Sequence, residues 1–467
     1  MLIKKNFFTK INFINFFISF IPLSLIIGNL AININLVLIC LFGAIIYKFE
    51  IFKLSKRIYQ YLMIGFFFYL ILITLFQGIP SLDDANLDDW SKQIVRENLF
   101  KSFFFLRYLV LFLVVAKLIE KNSFNLNFFL ISCAFFSFIV AIDILVQVSF
   151  SKNLAGMPIE SKPESGWAKP SGFFGTEIIA GGYIQKFSLF FFSLGIYFFQ
   201  KKKIKINLYG GVFFIFFLFS IILTSNRMPV ILYLFSFFLF FFAEKKFKEI
   251  FIILCISFFI LTSLMKFPDR TFSALPRLHS DLKNLYHHSV DILLKAPKLF
   301  FYNSVDKPMS NSEAFHVDGR ITAIGSANYL ITFNSGVQVW KKNKFFGGGL
   351  KSFRINCEYG SNTTCNSHPH NYMIEILVDT GVVGLILIYS IFILAALDFM
   401  KLYNKSLDLK FKFLFTPFFL ITFLEFFPVR STGSFFTTNN ATIIFFMLAV
   451  LVGLPHSKFS KKIITTK

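Results

Sequence analysis

Charged residues are scarce in this chain. Only 15% of its 467 residues are Asp, Glu, Lys or Arg, whereas a soluble domain carries about 25%. The mean hydropathy is +0.66, and 55% of the residues are hydrophobic. The apolar residues come in blocks of roughly 17–25, the length that crosses a hydrocarbon core. The composition therefore excludes an ordinary soluble domain and predicts an all-α polytopic membrane protein.

Acidic residues are less frequent than basic residues. The chain has 25 Asp and Glu against 47 Lys and Arg, which gives a net charge of +22. Lys-rich segments such as "QKKKIKIN" and "SKFSKK" fall between spans on one side, as the positive-inside rule requires. The segment "SLDDANLDDW" lies on the other side, with four aspartates and no base. We attribute the charge to topology, with cytoplasmic termini and no nucleic-acid partner, and interpret the acidic segment as a solvated loop rather than a metal site.

Twelve membrane spans are predicted from the apolar blocks. The N-terminal "MLIKKNFFTK" and the apolar run after it resemble a signal sequence, but no small-residue cleavage site follows, so we expect an uncleaved first helix. The predicted spans cover about 11–28, 33–48, 60–77, 103–118, 127–149, 177–199, 207–224, 228–243, 249–265, 371–397, 412–428 and 440–454.

One long segment between spans nine and ten is too polar to cross a membrane. It divides the chain into spans one to nine (1–265), an outer loop (266–370), and spans ten to twelve with a cytoplasmic tail (371–467). Helical spacing recurs inside the loop at 281–300 and 326–343, and a turn follows at "FFGGGLKSF". We expect this loop to be partly helical and to lie as a lid on the outer face.

Cysteine is also infrequent, with five residues. Cys40, Cys133 and Cys255 sit in apolar spans and are interpreted as packing residues. Cys357 and Cys365 precede two histidines in the pattern C-x7-C-x2-H-x-H, which could hold zinc. That spacing is not a standard finger, and an outside loop is oxidising, so a disulfide is the simpler interpretation and we predict no metal site.

Ionisable residues inside spans are costly and are by default candidates for a functional site. On the predicted topology most of them lie in the outer half of the membrane, which favours a cavity open to the outside over a channel lined along its whole length. For each residue, a structural ion pair between helices is the alternative. The candidates are Arg107, Asp143, Lys186, Arg227, Glu375, Asp379 and Glu425, with Glu177 and Arg430 at span ends.

The stretch "SHPHNYMIEILVDTGVVG" joins the outer loop to span ten. Asn371 is a good N-cap, and His370 precedes a helix N-terminus, where free N–H groups favour an anion such as phosphate. A histidine there suits a general base, with helix capping as the alternative. Glu375 and Asp379 share a helix face with Asn371, and Gly381 and Gly384 are small enough to let another helix approach closely.

Five segments, in order along the chain, resemble one family. "HPHNYMIEILVDTGVVG" is similar to the signature of the bacterial O-antigen ligase and polymerase superfamily. The segments "SGFFGTEIIAGGYI", "TSNRMPVILYL", "WKKNKFFGGGLKSFRINCEYG" and "FPVRSTGSFFTTNNA" resemble its other motifs. Together they extend over 172–441.

This resemblance implies a metal-independent glycosyltransferase of the bacterial inner membrane that needs no cofactor and is active on the periplasmic face. The donor would be a glycan on undecaprenyl pyrophosphate. The acceptor would be lipid A–core for a ligase, another repeat unit for a polymerase, or a protein. A transporter or flippase is the rival interpretation, but it would need polar residues through the cytoplasmic half and often inverted repeats.

The resemblance also implies roles for single residues. His370 becomes the catalytic residue and Arg227 the ligand of the donor phosphate. Arg320 matches the family's loop arginine only loosely, because Trp340 comes much later than the expected Trp, so Arg354 competes with it. The full set of expected substrate-binding residues is Arg320, Arg354, Arg107, Lys186, Glu177, His368, Asn371, Glu375 and Arg430.

Overall fold

A computed structural model of the chain shows a helical bundle. It describes residues 10–83, 85, 88–159, 161–162, 167–202, 206–244, 248, 252, 255, 323–357, 365–406, 409–428, 430–431 and 433–457. The predicted ninth span and the helical segment at 281–300 lie wholly or mostly outside these residues.

The first part of the bundle contains ten helices within the described residues. Pro22 lies in the first turn of α2, where proline is tolerated, and the axes of α1 and α2 differ by 47°. The helices are α1 (Lys10–Ser19), α2 (Ile21–Ile27), α3 (Asn29–Tyr47), α4 (Arg57–Asp83), α5 (Asp89–Phe104), α6 (Leu106–Glu120), α7 (Leu126–Phe150), α8 (Ala180–Lys202), α9 (Ile206–Leu223) and α10 (Arg227–Ala243).

The C-terminal part adds five α-helices among the residues described. They are α11 (Ala323–Lys342), α12 (Phe353–Asn356), α13 (Tyr372–Lys405), α14 (Leu409–Glu425) and α15 (Thr438–Gly453). Short 3₁₀ turns lie at Lys48–Phe52, Gly172–Phe174 and Leu454–His456, and β1 (Ser161–Lys162) pairs antiparallel with β2 (Trp167–Ala168).

Several helices are long and apolar enough to cross a bilayer. Six helical segments of the described chain meet this condition, or seven if the bent α1–α2 pair is one span. The all-helical, multi-pass architecture predicted from composition is therefore confirmed. The count of twelve spans stays a prediction, although helices occupy eleven of the twelve predicted positions within a few residues.

The segment predicted as an acidic loop is helical at both ends, over five of its ten residues. α4 continues to Asp83, and α5 begins at Asp89 after a short connection. Asp88 caps α5 by accepting a hydrogen bond from the Ser91 backbone N–H at 3.3 Å. The connection between α4 and α5 is thus shorter than the acidic segment. α5 was not predicted, because it mixes charged and apolar residues and gives no hydropathy signal.

Phenylalanine fills much of the bundle core. Phe129 of α7 is fully buried, and its ring packs against Phe190 of α8, Phe418 of α14 and Phe446 of α15, with centroids 5.5, 5.7 and 5.0 Å away. Aromatic pairs at these separations add to the stabilisation that burial supplies. Helices far apart in sequence are thus joined through one ring.

α13 is interrupted at Gly381, where φ is 62°. The backbone of the glycine-rich loop, residues 343–352, enters this break. Gly348 and Gly349 donate backbone hydrogen bonds to the carbonyls of Val378 and Asp379 at 2.8 and 2.9 Å. Val382 in turn donates to the Lys344 carbonyl at 3.0 Å. The loop thereby satisfies groups that an interrupted helix would leave unpaired.

The Asp379 carboxylate fixes the same loop. It accepts hydrogen bonds from the backbone N–H groups of Lys351 (2.7 Å) and Ser352 (3.1 Å), and from Ser352 Oγ (3.1 Å). Asp379 is fully buried. The expense of placing this carboxylate in a membrane helix is therefore offset by three hydrogen bonds, and we call Asp379 and its three donors the Asp379 clamp.

Replacing Gly381 by alanine should destabilise the protein. The residue has a positive φ, and a Cβ there would overlap the Phe345 carbonyl, so we expect a loss of about 2 kcal/mol or more. Gly65→Ala in α4 is the control, because its nearest neighbour would be a Leu387 methyl at 4.0 Å. Thermal unfolding in detergent measures both, and equal midpoints would contradict the need for glycine at 381.

Candidate functional site

The residues before α13 form a tight turn that carries two histidines. His370 has a φ of 53°, in the left-handed region that residues other than glycine seldom adopt. Asn371 then caps the helix, because its Oδ1 accepts a hydrogen bond from the Ile374 N–H at 3.0 Å. The N-cap predicted from the sequence is confirmed. Backbone strain of this kind is concentrated at functional sites.

Asn371 also holds the turn against the segment that precedes α15. Its Nδ2 donates to the carbonyls of Pro428 and Arg430 at 2.7 and 2.9 Å. One turn further along, both carboxylate oxygens of Glu375 accept hydrogen bonds at 2.5 Å, from Ser434 Oγ and the Phe435 N–H. The shared face predicted for Asn371 and Glu375 thus joins α13 to residues 428–437.

The two histidine rings lie side by side, with centroids 4.2 Å apart. Ser367 Oγ lies 2.8 Å from His368 Nδ1. Burial, followed by the charges of His370, Arg354 and Lys351, lowers the pKa of His368 to about 4. His368 is therefore neutral near pH 7.

A disulfide joins Cys357 to Cys365, with Cα atoms 5.6 Å apart. It links the end of α12 to the residues just before the histidine turn. Sulfur atoms in a disulfide are not thiolate ligands, so the zinc arrangement considered for these cysteines does not exist here. Within the described part of the chain, no three His, Cys, Asp or Glu side chains cluster in a way that could hold a metal ion.

Lys186, Glu425 and Arg430 form a buried ion triad. Glu425 Oε1 lies 3.0 Å from Lys186 Nζ, and Oε2 lies 3.3 Å from Arg430 Nη1. Arg430 Nη1 also donates to the Leu424 carbonyl at 2.7 Å. These three residues therefore form an ion pair between helices, which was the alternative to a substrate-binding role. The triad keeps one net positive charge.

A second group of cations lines a cavity of about 260 Å³ near the N-termini of α6 and α15. Lys101, Arg107 and Lys351 contribute the charges, and Thr437 and Thr438 add polar groups. Tyr108 connects the two helices here, because its hydroxyl donates to the Thr438 carbonyl at 3.2 Å. We call this space the cationic cavity.

Arg107 is a cation of this cavity that has no carboxylate partner among the described residues. Its Nη1 donates to the Phe104 carbonyl at 2.8 Å and its Nη2 to Tyr108 Oη at 3.1 Å. Its buried Nε has no hydrogen-bond partner, and no carboxylate within the described residues lies close enough to form an ion pair with it. Lys101, by contrast, pairs with Glu97 at 2.8 Å.

Lys351 connects the cationic cavity to the histidine turn. Burial, then the charge of Arg354, holds the pKa of Lys351 below its usual value. Arg354 Nε donates to the Ser367 carbonyl at 3.1 Å, beside His368. Neither Lys351 nor Lys101 was predicted as a site residue. Lys351 could have been identified from its position inside "FFGGGLKSF", the segment in which the sequence predicts a turn.

Glu177, Arg227 and Arg320 are the remaining candidates. Glu177 is exposed in the turn before α8 and forms no ion pair with a described residue. Arg227 is the first residue of α10, which begins directly after the turn that the sequence indicated. Arg320 lies outside the described residues.

Lowering the pH should destabilise the folded protein, because His368 is buried in its neutral form. Its pKa is about 4 in the folded protein and about 6.5 when unfolded, so the unfolded state binds more protons between these values. Folding stability is therefore lost as pH falls from about 6.5 towards 4. In His368→Asn, the drop in unfolding midpoint between pH 7 and pH 4.5 should be smaller than in wild type. Identical drops would show that His368 is not buried in its neutral form.

Comparison with known protein families adds independent information. A family model described as O-Antigen ligase matches residues 212–389, which include Arg227, His370 and both cysteines of the disulfide. No curated protein matches the chain. The match covers less than half of the chain, but it contains the histidine turn, the glycine-rich loop and the break in α13. The match agrees with the resemblance seen in the sequence: residues 212–389 are similar to the O-antigen ligase family.

Proposed function

We propose that the protein transfers a glycan from undecaprenyl pyrophosphate to the lipid A–core acceptor on the periplasmic face of the inner membrane. The proposal requires no metal ion or cofactor. The observation that carries it is the position of His370. This histidine has a positive φ just before a helix N-terminus, and its ring lies beside that of His368, next to the Ser367 carbonyl to which Arg354 donates.

In the proposed reaction, His370 acts as general base. It removes the proton from an acceptor hydroxyl, and that oxygen attacks the anomeric carbon of the donor sugar. The bond between this carbon and the pyrophosphate oxygen breaks, and the pyrophosphate leaves with the bonding electron pair. Because His368 is neutral, His370 can take up the proton without a second imidazolium ring beside it.

The leaving pyrophosphate needs its charge neutralised, and preorganised cations are an effective way to do this. Arg107, Lys351 and Arg354 are the described cations nearest this role, and a guanidinium fork suits a phosphate group. The helix N-terminus at Asn371 favours an anion as well. Arg227 and Arg320 are proposed as further phosphate ligands on the family resemblance alone.

Members of the superfamily differ in the acceptor that receives the glycan. A strain deleted for this gene tests which acceptor this protein uses. Complete loss of long glycan from lipopolysaccharide, with accumulation of lipid-linked polymer, supports the ligase. A core carrying a single repeat unit indicates the polymerase instead. Unchanged lipopolysaccharide with loss of glycoprotein indicates protein O-glycosylation. If none of these glycans changes, a flux assay should be compared with a transferase assay, because a transporter moves the lipid-linked glycan without cleaving it.

His370→Ala should abolish transfer without unfolding the protein, because it removes the base. The expected loss in rate is about 10²–10⁴-fold, the usual contribution of general acid–base catalysis. His456→Ala, which changes a histidine after α15 and outside the site, is the matched control and should retain wild-type activity. Turnover in purified, reconstituted protein is the measurement, and near wild-type turnover in His370→Ala would refute the assignment.

A further inference from the structure

A second cavity lies on the other side of the glycine-rich loop. It has a volume of about 150 Å³ and is enclosed by α4, α5, the end of α11 and the loop itself. Four side-chain amides line it. They belong to Gln77, Asn98, Asn343 and Asn356. We call this space the amide cavity.

Asn98 is the most buried of these four residues, with 4% of its surface exposed. A ligand in the cavity can therefore meet its amide where little bulk water competes. Each amide offers two donor hydrogens and an acceptor oxygen. Four of them around one space therefore favour an occupant that has both donors and acceptors.

The cavity contains almost no charge. Lys342 is the one ionised side chain among its lining residues, and its Nζ donates to the Asn356 carbonyl at 3.4 Å. The cationic cavity, in contrast, is lined by three cations. A phosphate group suits the cationic cavity, whereas the amide cavity suits an uncharged ligand.

Glycine keeps the amide cavity open. A Cβ on Gly348 would lie 3.0 Å from Asn356 Nδ2 and 2.7 Å from Ser352 Oγ. Ser352 belongs to the Asp379 clamp, so the wall of the cavity is fixed by the same contacts that seat the loop. The space is thus part of the folded arrangement.

The amide cavity lies within reach of the histidine turn. Val378 lines it, and eight residues separate Val378 from His370, which is about 12 Å along a helix at about 1.5 Å per residue. A volume below about 300 Å³ is small for a complete ligand site. It suits one residue of a longer chain whose reacting end lies elsewhere.

We propose that the amide cavity binds an uncharged sugar residue of the glycan substrate, at a distance from the bond that reacts. Sugar hydroxyl and acetamido groups both donate and accept hydrogen bonds, as four amides require. This assignment rests on the proposed function. The cationic cavity would then bind the phosphate part of the substrate, and the amide cavity would bind one of its sugars.

Direct binding tests this assignment without relying on catalysis. The full-length protein in lipid nanodiscs is examined by saturation-transfer NMR with free glucose, rhamnose and N-acetylglucosamine as probes. Asn98→Leu and Gln77→Met each remove one amide at similar volume. Gln93→Leu removes an exposed amide from the same helix as Asn98 without touching the cavity, and is the matched control.

At least one sugar should give saturation transfer to the wild type and to Gln93→Leu. Asn98→Leu and Gln77→Met should each weaken that binding by about two- to tenfold, the loss expected for one neutral hydrogen bond. His370→Ala should bind the sugar normally, so loss of transferase activity and loss of sugar binding are separate results. Absence of transfer from every probe, or undiminished binding in both folded cavity variants, would show that the cavity holds water only and overturn the proposal.

Discussion

The Asp379 clamp is the interaction on which the rest of the site depends. A carboxylate in the middle of an apolar helix is costly unless it is fully hydrogen-bonded, and three donors from one short loop supply those bonds. The break at Gly381 provides the opening, and the loop closes it with its own backbone. Every group that the loop carries is positioned as a result, including Lys351 at the cationic cavity and Gly348 at the amide cavity.

A second set of contacts on α13 works by the same principle. Asn371 and Glu375 use their side chains to hold Pro428, Arg430, Ser434 and Phe435, which precede Thr437 and Thr438 at the cationic cavity. Polar residues that stand out in an apolar helix therefore have two kinds of role here. Some hold backbone segments in place, and others are left to meet a ligand.

Much of the fold could be predicted from the sequence, because lipid requires long apolar helices. Asn371 as a cap was predictable from local chemistry. The partner of Asp379 was not, because its donors lie 27 and 28 residues away and no periodicity links them. Gly381 was predicted to allow a close approach, and a loop rather than a helix makes that approach. Lys101 and Lys351 were missed, since each becomes a site residue only through the cavity that distant segments form.

The seating of the glycine-rich loop has a consequence for substrate selection. Lys351 faces one cavity, and Gly348 and Asn356 border the other, so a short length of one clamped chain fixes the separation between the two. If phosphate and sugar occupy them as proposed, the loop sets the distance between the bound phosphate and the bound sugar. A glycan would then be accepted by how far its sugars stand from its pyrophosphate as well as by their identity, and changes in loop length during evolution would alter which repeat units fit.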